Sequence, residues 1–304
     1  METLQQKLSH GRFVITAEIT PPVSFDRADL VAKAAPLKGL ADAVNVTDGA
    51  GARSHMGALA AAAILIQEGI EPILQLTCRD RNRIALQGDL MAAAALGIRN
   101  LLILRGDDPS AGDQPDAKPV FDLDARGLLE TARKLRDTNE LPSGRKVAGT
   151  AAFFLGAADA PIDPPPGWEP KGLTGKVEAG AQFAQTQFCM DPDVVARYTA
   201  RLAEHGLVGE GSADLKLIIG IAPLRSAKSA RWMREKLFGT IIPDATVARL
   251  EAAADPAAEG RAIAVDLIAA LAANPQVAGV HIMAPNNDEA VPDVIRAARA
   301  RLKR

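Results

Sequence analysis

The chain has 304 residues, 48% of them hydrophobic and 24% charged, with a formal net charge of −2 and two cysteines. That length suits one large α/β domain or two small ones. The near-neutral charge argues against nucleic acid or an anionic membrane surface as partner, the two cysteines against a disulfide framework, and the lack of a long apolar run against a membrane span.

Short apolar runs alternate with helical stretches along the chain. Strand one is predicted at 13–19, with a helix over about 26–37 whose first turn carries Asp26 and Asp29, favourable near a helix N-terminus. Strand two, 43–47, leads to a helix at 54–68 ended by Gly69. Strand three, 72–76, precedes a helix at about 83–96 ended by Gly97. Strand four, 101–104, is followed by a long polar segment, 107–119, and a helix near 124–137. Strand five is placed at 147–155 and strand six at about 183–187. A helix at 192–205, strand seven at 215–221, a helical insertion at about 244–273, strand eight at 280–283 and a helix at 288–302 complete the series. The proline-rich piece 160–170 reads as a stiff loop rather than a linker.

Eight such units in one chain fit a single-domain α/β protein, a (β/α)8 TIM barrel spanning 1–304, better than an open doubly wound sheet. Gly49-Ala50-Gly51-Ala52-Arg53-Ser54 follows a strand but lacks the third glycine of a dinucleotide fingerprint, and no phosphate-binding Walker loop occurs. In a barrel of this kind the active site is built at the C-terminal ends of the strands. Several of this chain's strands break there into carboxylate, amide, hydroxyl and guanidinium groups.

Glu18 ends an apolar strand just before Pro21-Pro22, where a partly desolvated carboxyl is suited to deliver a proton. The plainer reading is a barrel carboxylate paired with Arg or Lys, and the residues leave the two evenly balanced. Arg105-Gly106-Asp107 places a glycine and two charges at a strand terminus, as a ligand site would, or forms a surface turn. Gln187 offers a donor and an acceptor together, matching a pterin or flavin edge, or it is a satisfied core amide. Thr47 and Asp48 are ligand candidates in what is equally an ordinary turn. No Cys or His pair has metal-ligand spacing, so no metal is expected. His281 is the only histidine on a predicted strand, and its expected role is core packing.

These residues, taken in order, resemble the methylenetetrahydrofolate reductase family. The likeness rests on Glu18-Ile19-Thr20-Pro21-Pro22, Val46-Thr47-Asp48-Gly49, Leu76-Thr77-Cys78, Arg105-Gly106-Asp107, Lys176-Val177-Glu178-Ala179-Gly180-Ala181 and Thr186-Gln187-Phe188. The resemblance implies hydride transfer from NADH or NADPH through FAD to 5,10-methylenetetrahydrofolate, giving 5-methyltetrahydrofolate, or the reverse oxidation. It implies Glu18 as general acid, Asp107 beside flavin and pterin, and Glu18 and Gln187 as substrate contacts. Flavin contacts are implied at Thr47, Asp48, Gln75, Arg105, Gly106, Asp107, Phe153, Glu169 and Lys176. The family's histidine before Leu-Thr-Cys is Gln75 here, and its Tyr-Pro-Glu after strand five is matched to Phe153-Phe154-Leu155. Those departures predict looser FAD binding, with an FMN-binding, flavin-free or partner-dependent reductase, or a non-redox pterin-binding methyltransferase barrel, as alternatives. A cytoplasmic location and a homo-oligomer or partner subunit are further expectations.

Overall fold

The computed structural model describes residues 2–209 and 211–303. Its parallel strands close in sequence order into an eight-stranded barrel, from β1 (Val14–Ile19) through β2 (Val44–Val46), β3 (Pro72–Thr77), β4 (Asn100–Leu104), β5 (Phe154–Asp159), β6 (Phe183–Phe188) and β7 (Lys216–Ile221) to β8 (Gly279–Ile282). Closure comes from β1 pairing with β8, which sets Thr16 beside His281. The fold is a single-domain (β/α)8 barrel.

Helices α2 (Arg27–Ala34), α3 (Ala58–Gln67), α4 (Arg83–Ala95), α5 (Ala125–Thr138), α6 (Lys171–Glu178), α7 (Pro192–Glu204), α8 (Ala227–Lys236) and α11 (Val291–Leu302) surround the strands. Before β8 the chain adds α9 (Asp244–Ala252) and α10 (Pro256–Ala272), where a helical stretch was expected. Side-chain caps fix several starts: Asp26 accepts from Ala28 N, Asn82 from Ile84 N and Ala85 N, and Asp191 from Asp193 N and Val194 N. None of the described helices is long and apolar enough to cross a membrane.

An additional short helix, α1 (Leu4–Ser9), precedes the barrel and has no counterpart in the sequence reading. Its Leu4 and Leu8 are buried with Val14, Ile73, Leu102, Phe154, Phe183 and Ile218, near the N-terminal ends of the strands. Glu71 accepts from Leu4 N at 2.9 Å and from Asn100 Nδ2 at 2.9 Å, tying this helix to the barrel floor.

Above that apolar floor the barrel interior turns polar. Asn45 and Gln185, on β2 and β6, exchange two amide hydrogen bonds (2.6 and 3.1 Å). Gln185 also donates to Thr16 Oγ1 (3.2 Å), which lies 3.0 Å from His281 Nδ1. Small residues make room for this filling: a Cβ on Gly156 would lie 2.2 Å from the Phe183 ring, and one on Gly220 2.2 Å from the Thr186 carbonyl oxygen.

Strand five begins at Phe154, not at residue 147. Its start is fixed by pairing with β4, Asn100 against Phe154. The apolar run ahead of it, Val147 to Phe153, instead lines an apolar cavity with Leu90 and Met91 of α4 and Leu135 of α5. Hydrophobicity alone did not distinguish packing against helices from pairing in a sheet. The helix expected at 54–68 starts at Ala58, after an extended Arg53 and with Gly57 at its N-cap.

Candidate active site

A cavity of about 870 Å3 opens at the C-terminal ends of the strands. Glu18, Thr47, Asp48, Gln75, Arg105, Gly106, Asp107, Lys176 and Gln187 all line it, so strands distant in sequence bring nine of the candidates together. Two candidates lie elsewhere. Phe153 precedes β5 at the opposite end of the strand and is buried against α4 and α5. Glu169 is exposed, paired with Lys171 Nζ at 3.3 Å, and is not among the residues lining this cavity. The residues at the rim end of β5 are Ala158, Asp159 and Ala160. The match to Phe153 therefore fails by the same displacement that misplaced the strand.

Glu18 has a side chain 23% exposed at the end of β1. Its Oε2 accepts from Gln75 Nε2 at 2.9 Å and lies 3.6 Å from His281 Nε2. Its Oε1 has no hydrogen-bond partner among the described residues. His281 is thus more than the packing residue expected from sequence. Its ring stands between the carboxyl, 3.6 Å from Nε2, and Thr16, which contacts Nδ1 and accepts from Gln185 of the amide pair.

The rim loops are braced against each other. Asp48 Oδ2 accepts from Thr77 N (2.8 Å) and Thr77 Oγ1 (2.9 Å) and pairs with Arg81. This carboxylate ties the end of β2 to β3 through Oδ2, while its Oδ1 carries no hydrogen bond among the described residues of the cavity wall. Asp107 is exposed and accepts from Gly51 N at 2.8 Å. Buried Arg79 donates to the carbonyl oxygens of Gly49 and Asp107 (3.2 and 3.3 Å), joining the same two loops. Gly106 has φ +97°, and a Cβ there would lie 2.9 Å from Arg79 Cβ, so both conformation and space demand glycine.

On the wall opposite in sequence, Lys176 Nζ donates to the Ala158 carbonyl at 2.6 Å. Arg105 stacks its guanidinium 5.0 Å from the Phe121 ring centre. Gln187 is half-buried, and its Oε1 accepts from Phe188 N at 3.0 Å at an irregularity between β6 and β7. The sequence reading did not single out Asp159, Tyr198, Arg126, Lys171 or Phe238. Asp159 lines the cavity while Tyr198 of α7 donates to its Oδ2. Burial pushes the Asp159 carboxyl pKa up, opposed by the tyrosine hydrogen bond and by Lys176. A carboxylate at the end of an apolar strand was the available signal for Asp159. Phe238 is 90% exposed at the mouth and carried no such pattern.

Residues 3–299 match the methylenetetrahydrofolate reductase family. The chain is 28% identical over 244 residues to methylenetetrahydrofolate reductase 2 of Schizosaccharomyces pombe, covering 77% of this chain and 37% of that protein. It is 26% identical over 233 residues to a 5,10-methylenetetrahydrofolate reductase of Pectobacterium carotovorum, covering 75% of this chain and 70% of the relative. The match thus spans little more than a third of the yeast protein's length. Among solved structures, a Clostridium thermocellum protein described as binding two copies of 5-methyl-5,6,7,8-tetrahydrofolic acid aligns with TM-score 0.61 and 13% identity, over 98% of each chain. The EDTA monooxygenase of Chelativorans aligns with TM-score 0.55 and 13% identity, over 96% of this chain and 93% of that one, and both likenesses bear on fold alone. With nearly its whole length matched, the chain belongs to the methylenetetrahydrofolate reductase family.

Proposed function

We propose that this protein interconverts 5,10-methylenetetrahydrofolate and 5-methyltetrahydrofolate, with Glu18 as general acid in the reducing direction. The observation that carries the reading is the Glu18 carboxyl, held through Oε2 and unengaged at Oε1, in the wall of a rim cavity of a chain in this family.

The product keeps its carbon on N5, so the bond from that carbon to N10 must break. A proton from Glu18 to N10 lets the bonding pair leave with that nitrogen, and the carbon remains as an N5 iminium ready to accept hydride. A positioned general acid typically contributes roughly 100- to 10,000-fold. In the oxidising direction Glu18 takes the proton back. Gln187 supplies an amide for the pterin edge, and Asp107 a carboxylate beside it.

The residues present fit a flavin dinucleotide. Thr47 Oγ1 is buried without a partner among the described residues, an unmet hydrogen-bonding group in a residue of the cavity wall. Arg105, Arg126, Lys171 and Lys176 line the same cavity and suit an anionic diphosphate. Gly106 adds a place where backbone can approach a ring closely. When bound, FAD supplies the hydride, itself received from NADH or NADPH. Of the expected contacts, Gln75 is engaged by Glu18, while Phe153 and Glu169 do not line the cavity. We therefore expect FAD to bind more weakly than a full set of contacts would give. Loss of one or two hydrogen bonds of about 1 kcal/mol each corresponds to roughly 5- to 30-fold.

Two measurements test the reading. Glu18→Gln keeps the side-chain shape but removes the proton, so methylenetetrahydrofolate reduction should fall at least 100-fold while bound flavin is still reduced by its nucleotide donor. Near-normal folate turnover by this variant would dismiss Glu18 as the acid. Titration of stripped protein with FAD and FMN, followed by flavin fluorescence quenching, should show saturable FAD binding. Folate reduction by protein that binds neither flavin would instead establish the flavin-free alternative.

A further inference from the structure

We infer that Gln75 is a positioning residue that holds Glu18 by one oxygen and thereby assigns proton delivery to the other, Oε1. The inference rests on the proposed role of Glu18 and adds to it a residue and an atom. Three observations converge. Gln75 is only 7% exposed, and Glu18 Oε2 is the single side-chain partner of its amide nitrogen among the described residues. His281 Nε2 stands 3.6 Å from the same oxygen, beyond hydrogen-bond reach, which leaves Gln75 as the hydrogen-bond donor to Oε2 among the described residues. Oε1 has no partner among the described residues, in a side chain that lines the cavity.

A carboxyl attached to a strand end by a flexible side chain has two interchangeable oxygens until something distinguishes them. Gln75 does so because its amide N–H can only donate and therefore favours the carbonyl oxygen of the carboxyl, the stronger acceptor, over the hydroxyl oxygen that carries the acidic proton. The proton is thereby displaced to Oε1. During ring opening the O–H bond at Oε1 breaks, the proton passes to N10, and the pair of the carbon–N10 bond becomes the amine lone pair. The negative charge left on the carboxylate meets an N–H donor already in place at Oε2, with no reorganisation needed. Gln75 itself does not exchange a proton. It sits on β3 opposite Leu102 of β4, on rigid sheet rather than on a loop, which makes it a firm support.

This differs from a flavin contact, the role implied for Gln75 by resemblance, and the two make opposite predictions. Gln75→Met keeps the length of the side chain and removes the donor. If Gln75 positions Glu18, kcat for methylenetetrahydrofolate reduction falls by about 10- to 100-fold, since a hydrogen bond to a charged group and an aligned reacting atom are both lost. The dissociation constants for FAD and for 5-methyltetrahydrofolate, measured by fluorescence, stay within about twofold of the parent. In the Glu18→Gln background, Gln75→Met should change the residual rate little, because the group through which it acts is already disabled. Gln75→Glu provides a second, equally sized variant should the methionine protein fold poorly, and it should lose kcat as well.

The inference is overturned if Gln75→Met keeps near-parent kcat, if its defect lies in flavin or folate affinity, or if its effect persists undiminished in the Glu18→Gln background. Those outcomes leave the general-acid role standing as long as Glu18→Gln alone is inactive. An active Glu18→Gln enzyme would instead remove the general acid and the positioning residue together.

Discussion

Asp159 shows how one carboxyl can be costly to the fold yet suited to a site. It ends β5 in the cavity wall, and burial raises its pKa despite the hydrogen bond from Tyr198 and the charge of Lys176. An aspartate in an unfolded chain loses its proton near pH 3.9, whereas the folded protein holds this one to a higher pH. Between those values the unfolded state binds fewer protons, so this residue's contribution to stability falls as pH rises through that window. Asp159→Asn keeps an acceptor for the tyrosine hydroxyl and removes the ionisation. The variant should therefore lose less stability than the parent as pH rises above about 4, as read from urea midpoints. An equal or steeper decline would mean that Asp159 ionises in the fold as freely as in the unfolded chain.

At the scale of elements, β5 and its neighbour β6 show what can and cannot be read from a pattern. Gly156 lies opposite Phe183 in their register, and the Phe183 ring occupies the space where a Cβ would stand. Phe154 stacks on the same ring with centroids 4.8 Å apart. Gly156→Ala should consequently destabilise the protein by about 1–3 kcal/mol through overpacking, measurable as a lowered urea midpoint with an unchanged m-value. A neutral substitution would show that the ring has room to move aside. The alternation of strands and helices was legible because each strand is a short apolar run bounded by polar loops. The position of β5 was not, because Ala151 and Phe153 are equally apolar yet pack against helices. That the C-terminal ends of β1 to β4 and β6 would meet at one rim cavity was legible from the barrel itself, although each polar group taken alone read equally well as a turn, an ion pair or a core amide. The His281–Glu18 approach was not, for it exists only once β8 closes on β1.

Taken as a whole, the molecule separates its stabilising layers from its chemistry along the barrel axis. The floor is apolar, the middle is a hydrogen-bonded set of amides, hydroxyl and imidazole, and the rim carries carboxylates and cations. The floor depends on α1, too short to be a stable helix in isolation and held by two leucines and the Glu71 contact. Leu4 is fully buried and Leu8 is 2% exposed, so Leu4→Ala with Leu8→Ala removes both anchors. Each buried leucine truncation typically costs about 2–5 kcal/mol, with the lower end expected where a terminal helix can detach rather than leave a cavity. The double variant should melt well below the parent and expose the barrel floor to an apolar dye. At temperatures where it remains folded, however, folate turnover should be close to the parent value, because Glu18, Gln75 and His281 are held by the strands and by one another. Loss of turnover in a still-folded double variant would show that the floor sets the geometry of the rim, and that the layers are coupled rather than separable.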